Sequence, residues 1–217
     1  MICWSCEKNA GEGMLCGSCG AIQPPNRGAN HFQVLGLANQ FALDVAELER
    51  RYKDMTKILH PDRFARADAR ARRASLERSV QINEAWRTLS DPVRRAEYIL
   101  ACHGIEVGEV SGDKRGAPTA KPTQPVSPVL LMEIMELRES LADARAAGDS
   151  KEVSALSTTV TNRQAEAMAF VAEEFAKPAP DLGAIASRLV SVRYYRRFLE
   201  EAKASQEAHE DAAHESH

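Results

Sequence analysis

The stretch "DVAELERRYKDMTKILHPDRF" (44–64) decides the fold. Within it Val45, Leu48, Tyr52, Met55 and Leu59 recur at steps of three and four, which is one apolar helix face. Arg50, Arg51, Lys53 and Lys57 fall on the other side. Asp44 followed by Glu47 has the form of a capping box, and Pro61 forbids the helix from continuing. A second long helical pattern comes next, with Ile82, Ala85, Trp86 and Leu89 at i, i+3, i+4 and i+7. Two amphipathic helices joined by so short a loop must fold back on each other. The prediction is an antiparallel hairpin that exposes His60, Pro61 and Asp62 at its tip.

Outward from the hairpin, "ARADARARR" (65–73) is basic and Ala-rich, the solvated start of the returning helix. Ser90-Asp91-Pro92 is a stop-and-restart signal, a side-chain cap followed by proline in a first turn. The helix after it should run to about Cys102, with Ala96, Tyr98, Ile99 and Leu100 available for packing and Cys102 as a core filler.

Upstream, four of the five cysteines form Cys3-Trp-Ser-Cys6 and Cys16-Gly-Ser-Cys19, nine residues apart. Each C-x-x-C lets two thiolates from one tight turn reach one ion, and two such knuckles make a closed four-sulfur site. Few large apolar groups surround them, so metal binding, on the order of 10 kcal/mol in small zinc modules, must supply the folding energy. One structural zinc on Cys3, Cys6, Cys16 and Cys19 is expected. An iron centre is its main rival, ahead of disulfides or a redox pair. Pro24, Pro25 and Gly28 mark a short hinge, and "NHFQVLGL" (30–37) a short helix or turn beneath the hairpin.

Downstream, 105–128 is rich in proline and poor in large apolar residues, a semi-extended linker. Three helical patterns follow, at about 129–147, 150–176 and 182–204, with breaks at Ala146-Ala147-Gly148-Asp149 and Pro178-Ala179-Pro180-Asp181. On the first, Leu130, Ile134, Leu137 and Leu141 make a sufficient core stripe. Leu131, Met132, Met135, Glu136 and Glu139 then fall on the back, where Leu and Met need a cover. On the last, Ile185, Leu189, Val192 and Leu199 form the stripe, and Tyr194 and Phe198 point away. A wider core or the hairpin could equally cover these outward groups. "SQEAHEDAAHESH" (205–217) has no apolar face and is expected to be a disordered tail.

"RRYKDMTKILHPDRF" followed by "INEAWRTLSDPVRRAEY" resembles the J-domain of DnaJ-type co-chaperones. With "LLMEIMELRESL" after it, the chain is similar to the HscB family, the dedicated J-proteins of iron–sulfur cluster assembly, over about residues 30–204 apart from the linker. The resemblance implies a J-domain that binds an HscA/DnaK-type chaperone and stimulates its ATPase. The residues it assigns to that contact are His60, Pro61, Asp62, Arg50, Arg51 and Lys57. It also implies a C-terminal bundle that captures an IscU-type scaffold, through Leu131, Met132, Met135, Glu136, Glu139 and Tyr194. Some family members carry a like pair of C-x-x-C motifs. This sequence departs in having Arg63 for the common Lys, Met135 and Tyr194 where Leu and Phe are usual, and a longer linker.

The expected architecture is mainly α: a zinc knuckle module (1–28), a J-domain (29–104), a Pro-rich linker (105–128), a three-helix scaffold-binding domain (129–204) and the tail (205–217). Across 217 residues the net charge is −3, and the pI near 6.1 argues against general nucleic-acid binding. No apolar run is long enough for a bilayer, and "MICWSC" has no signal-peptide form, so the bacterial cytoplasm is the expected compartment, or an organelle matrix if Met1 is a processed start. No nucleophile–base pair, phosphate loop or open metal site points to an enzyme. The alternative function is a J-protein that delivers a different client to a general DnaK-type chaperone.

Overall fold

The computed structural model describes residues 1–11, 13–107 and 126–214, with the side chains of Pro61 and 205–214 left aside. It divides into two compact units, Met1–Arg95 and Ala96–His217. Most of the expected linker, 108–125, lies outside the described residues.

The first unit begins with two knuckles of the same build. The amide of Cys3 donates to the Lys8 carbonyl and that of Cys16 to the Ala21 carbonyl, both at 2.8 Å. Isolated β-bridges pair Ile2 with Asn9 and Leu15 with Ile22. Each knuckle closes through a left-handed residue after its second cysteine: Gly20 at φ 71° and, at the matching place, Glu7 at φ 58°. Glycine takes that conformation freely, whereas Glu7 carries a steric cost there.

The short α1 (His31–Val34) is held by a reciprocal capping box between Asn30 and Gln33. In α2 (Val45–Leu59), Asp44 caps the amides of Ala46 and Glu47. The reciprocal half of the expected box is not made, because Glu47 is taken by Arg50 and Arg51. The tip is a further short helix, α3 (Pro61–Phe64), and α4 (Ala69–Ser90) returns from a cap on Asp68. The helices α2 and α4 pack as the predicted hairpin, with α1 also against α4. Phe32, Leu35, Leu48, Leu59, Ile82, Ala85 and Leu89 are buried between them; each large one contributes about 1.5–3 kcal/mol by leaving water. Tyr52 stacks on Trp86 at 4.7 Å between ring centroids. Val45, in the first turn of α2, is exposed instead of joining that face. Asp91 caps α5 (Pro92–Cys102) by accepting from the amides of Val93 and Arg94.

In the second unit, α6 (Pro128–Ala146), α7 (Ser150–Phe175) and α8 (Leu182–His214) form the three-helix bundle. Tyr195 bonds Glu133 and Arg138 bonds Glu201; the partners advance together, so α6 and α8 run parallel. Gly148, at φ 67°, turns the chain into α7, which Asp149 caps. Between α7 and α8 the buried Glu174 accepts from Lys177 Nζ and from the Asp181 amide. The Lys177 ammonium first, and the Asp181 amide second, hold its carboxyl below the usual range. A depressed carboxylate stabilises above its unfolded pKa, ~4.3, and loses that stabilisation as pH falls through the folded value. Glu174→Gln is therefore expected to lower the melting temperature at pH 7, with the gap to wild type closing toward pH 3; equal melting curves at pH 7 would reject the assignment.

Four expectations need correction. Phe198 is fully buried and Leu199 only partly. The middle of α8 is enclosed by α7, by α6 and by the Arg193 contacts to Glu97 and the Val107 carbonyl. Its buried arc is thus wider than one stripe. Cys102 is exposed, since it ends its helix beyond the packed turns. The tail beyond 204 is helical through His214; its Ala and Glu residues favour the helix, and there is no Pro or Gly to stop α8. The expected hinge marked by Pro24, Pro25 and Gly28 is tied down at its start, for the carbonyls of Gln23, Pro24 and Asn26 are held by Arg78 and Gln81 of α4. Among the described residues no helix is long and apolar enough to cross a membrane.

Candidate functional site

Three groups of side chains stand out on this frame, one on the hairpin tip, one on α6 and one in the knuckles. At the tip, proline ends α2 and starts α3 within one residue, and this sharp turn throws the intervening side chains outward. His60 serves as N-cap of α3, its Nδ1 accepting from the Asp62 amide at 3.4 Å. The Asp62 carboxylate lies 3.5 Å from the same ring and is 89% exposed. Two bonds tie the loop to its supports. Ser75 Oγ on α4 donates to the Leu59 carbonyl at 2.8 Å in a buried position, and Arg63 donates to the Lys57 carbonyl at 3.3 Å.

The cations assigned to the chaperone contact divide. Lys57 is exposed beside the tip. Arg50 is exposed but makes three hydrogen bonds to the Glu47 carboxylate, with Asp54 at 3.6 Å. Arg51 is turned inward, bonding Glu47 and the carbonyls of Leu35 and Gly36, where it anchors α1 to α2. These two guanidinium groups, Arg51 ahead of Arg50, draw the Glu47 carboxyl below its usual range. The basic face is therefore partly neutralised from within, which helical periodicity does not reveal.

On α6, Leu130, Ile134, Leu137 and Leu141 are buried as the stripe predicts. Leu131, Met132 and Met135 are 40%, 63% and 70% exposed, and Glu136 and Glu139 are exposed beside them. At 100° per residue these five occupy an arc of about 140°. Val129, 74% exposed, extends the apolar face by one turn; the same periodicity contained it, but its place at the helix start hid it. Tyr194 is half-buried on α8. Phe198, its expected neighbour on the surface, belongs to the core.

In the knuckles, the Sγ atoms of Cys3, Cys6, Cys16 and Cys19 all lie within 4.8 Å of one another. Cys3 and Cys19 are 3.7 Å apart and Cys6 and Cys16 3.8 Å. A tetrahedron with ~2.3 Å zinc–sulfur arms has edges of about 3.8 Å, so the four thiols fit a closed zinc site. A disulfide needs about 2.05 Å, and the cysteines are free. The amides of Ser5 and Ser18 point at the sulfurs of Cys3 and Cys16. At Cys3 burial opposes ionisation, but the Cys6 and Ser5 amides and the neighbouring thiols outweigh it and bring the thiol to about 6. The Cys19 and Ser18 amides likewise lower Cys16. At Cys6 the Lys8 amide favours the thiolate, yet burial and the three other sulfurs push it to about 11. Four crowded thiolates repel one another, and a dication at their centre removes that penalty.

Comparison with known proteins follows the same division. Residues 30–98 match the DnaJ domain model, and residues 126–203 match the HSCB C-terminal oligomerisation domain model. The mouse (Mus musculus) protein named iron-sulfur cluster co-chaperone protein HscB is 30% identical over 207 residues, covering 94% of this chain and 82% of that one. A co-chaperone protein HscB homolog of Paraburkholderia phymatum is 39% identical over 137 residues, covering 63% and 70%. Among solved structures, human co-chaperone protein HscB superposes with a TM-score of 0.80 at 27% identity, over 95% of this chain and 98% of that one. Chaperone HscB from Vibrio cholerae gives 0.69 at 31% identity, over 83% and 99%. With a J-domain hairpin, a C-terminal three-helix bundle and a 30% identical relative matched over 94% of this chain, it belongs to the HscB family of J-domain co-chaperones in iron–sulfur cluster assembly.

Proposed function

We propose that this protein couples an IscU-type scaffold to an HscA/DnaK-type chaperone, as a tether with a trigger. The observation that carries the reading is the exposed Val129, Leu131, Met132 and Met135 face in a unit whose core is already complete without it. A surface helix gains nothing by showing two methionines and a leucine to water; a partner that covers them gains the burial. Glu136 and Glu139 set the charge that the partner must complement, and Tyr194 borders the contact. Holding the scaffold this way raises its effective concentration at the chaperone. The J-domain supplies the trigger through His60, Pro61 and Asp62, with Asp62 offered to a basic group of the ATPase. Lys57 and Arg50 steer the encounter, an attraction that weakens with salt.

Zinc in the four-cysteine site would act as a tetrahedral cross-link between the knuckles. Thiols that must stay reduced to hold it fit a reducing compartment such as the cytoplasm. The deciding experiment is an ATPase assay of the chaperone with the protein added alone, and then together with scaffold. Stimulation by the protein, raised more than additively by scaffold, is expected. No stimulation in either arm would sink the reading, and stimulation indifferent to scaffold would redirect it to another client.

A further inference from the structure

The knuckle module lies along one face of α4, where Arg70, Ala74, Arg78 and Gln81 follow one another at helical spacing. The Arg70 guanidinium sits 4.9 Å from the centroid of the Trp4 ring. Trp4 Nε1 donates to the Ile22 carbonyl at 2.5 Å. Arg78 Nε donates to the Gln23 carbonyl at 2.5 Å and its terminal nitrogen to the Pro24 carbonyl at 3.1 Å. Gln81 donates to the Asn26 carbonyl at 3.0 Å. These bonds join the cysteine module to the helix that also supports the hairpin tip.

Gln23 stands at the junction. It is buried, and its side-chain Nε2 donates to Cys3 Sγ at 3.3 Å and to the Ala21 carbonyl at 2.8 Å. Its Oε1 is buried without a partner in the described structure. An amide turned N–H first toward sulfur suits a metal-bound thiolate, which only accepts. The same residue presents its main-chain carbonyl to Arg78. One residue thus touches the metal site with its side chain and α4 with its backbone. Arg78 is half-buried and spends its guanidinium on the two carbonyls of Gln23 and Pro24; charge-assisted bonds of this kind hold only while the acceptors stay in place.

Within the module itself the apolar packing around the sulfurs is thin. Its buried cluster consists of Cys3, Ala10 and Cys16, with Cys6 and Ala21 packed against it. Ile22 is the one large apolar side chain fully buried in the module among its described residues, so a core otherwise built of sulfurs and alanines loosens when the ion that joins the sulfurs is removed. One turn before Arg78 on α4, Ser75 holds the Leu59 carbonyl, the residue immediately before His60-Pro61-Asp62.

We propose that the metal in the four-cysteine site braces the chaperone trigger: Gln23 and Arg78 transmit the closed module to α4, and Ser75 transmits α4 to the carbonyl of Leu59. Gln23, Arg78 and Ser75 are positioning residues; none touches a partner. This rests on the metal and trigger readings above, and it adds that they are coupled. Coupling is reciprocal: whatever Zn2+ does for α4 and the tip, α4 does for Zn2+ binding, by the same factor.

The test uses the full chain and amide hydrogen exchange, which needs no chaperone. With Zn2+ bound, the amides of 57–64 and of 70–82 are expected to be protected. Stripping Zn2+ with a chelator should speed their exchange on the order of tenfold, as local opening of a braced segment does. The amides of α7, in the other unit, should not change. Arg78→Ala should lower Zn2+ affinity in a chelator competition by a similar factor, although it ligates nothing. Should Arg78→Ala unfold the hairpin, Gln23→Ala, which leaves the carbonyl to Arg78 and removes the contact to sulfur, must show the same loss of affinity. Tight Zn2+ binding with unchanged exchange at 57–64 on its removal overturns the brace while leaving metal and trigger standing. A chain that takes up no Zn2+ overturns the metal reading and the brace together. An Asp62→Asn variant that still stimulates the chaperone overturns the trigger assignment, and with it the claim that the braced tip is the trigger.

Discussion

Asp62→Asn is expected to reduce stimulation of the chaperone ATPase to the unstimulated rate while scaffold binding and thermal stability stay at wild-type values. Asp62 is almost fully exposed and makes no buried contact, so the substitution leaves no cavity and orphans no internal donor. Its amide bond to His60 Nδ1 belongs to the backbone and survives. What changes is the negative charge offered at the tip. Truncating one member of a hydrogen-bonded charge pair at an interface weakens it on the order of 30-fold or more, much of that from the partner charge left unpaired. A variant that stimulates within twofold of wild type would refute the trigger. Salt offers an independent check. Because Arg51 is spent on the α1 carbonyls while Lys57 stands exposed beside the tip, the salt dependence of chaperone binding should respond to Lys57→Ala and scarcely to Arg51→Ala.

The second large effect is the mirror image. Combining Leu131→Ala, Met132→Ala and Met135→Ala is expected to lower scaffold affinity on the order of 100-fold or more, since central apolar anchors dominate most interfaces. ATPase stimulation by the protein alone should persist. All three side chains are exposed, so the fold does not depend on them, and the core residues Leu130, Ile134 and Leu137 are untouched. Titration calorimetry against the scaffold reads the affinity, and a thermal melt confirms the fold. Normal binding by the triple variant would sink the docking face. Tyr194→Ala belongs in a separate variant, because its ring is half-buried and its loss mixes packing with binding. Glu136→Lys with Glu139→Lys should act mainly on the association rate, as rim charges do.

Several features were legible from residue spacing alone. Helical spacing and its breaks placed α2, α6 and α7 within a residue or two, because a helix buries whatever recurs on one face, while α4 starts at Ala69 and not at the head of the basic 65–73 stretch. Asp44, Asp91 and Asp149 marked helix starts, and Pro61 and Pro92 marked breaks, because backbone geometry and unpaired amides act within a few residues. The cysteine spacing pointed to one four-sulfur site for the same local reason. The back of α6 was legible in part: four residues sufficed for its core and left Leu131, Met132 and Met135 on the other side, while periodicity left open whether another element covers them.

Other features depended on neighbours distant in the chain. Whether Phe198 is core or surface is decided by how many helices surround α8, and a single helix's periodicity carries no count of its neighbours. The direction of Arg51 is decided by carbonyls of α1 that only folding brings alongside. The stretch 23–26 has the composition of a hinge, yet Arg78 and Gln81, more than fifty residues on, make it a fixed seam. This chain's local chemistry by itself determined which segments are helices, where they end and which four sulfurs converge. Tertiary structure alone decided which outward groups stay in water, which cations are already spent and what the cysteine module leans on, since each of those is settled by contact across long separations in sequence.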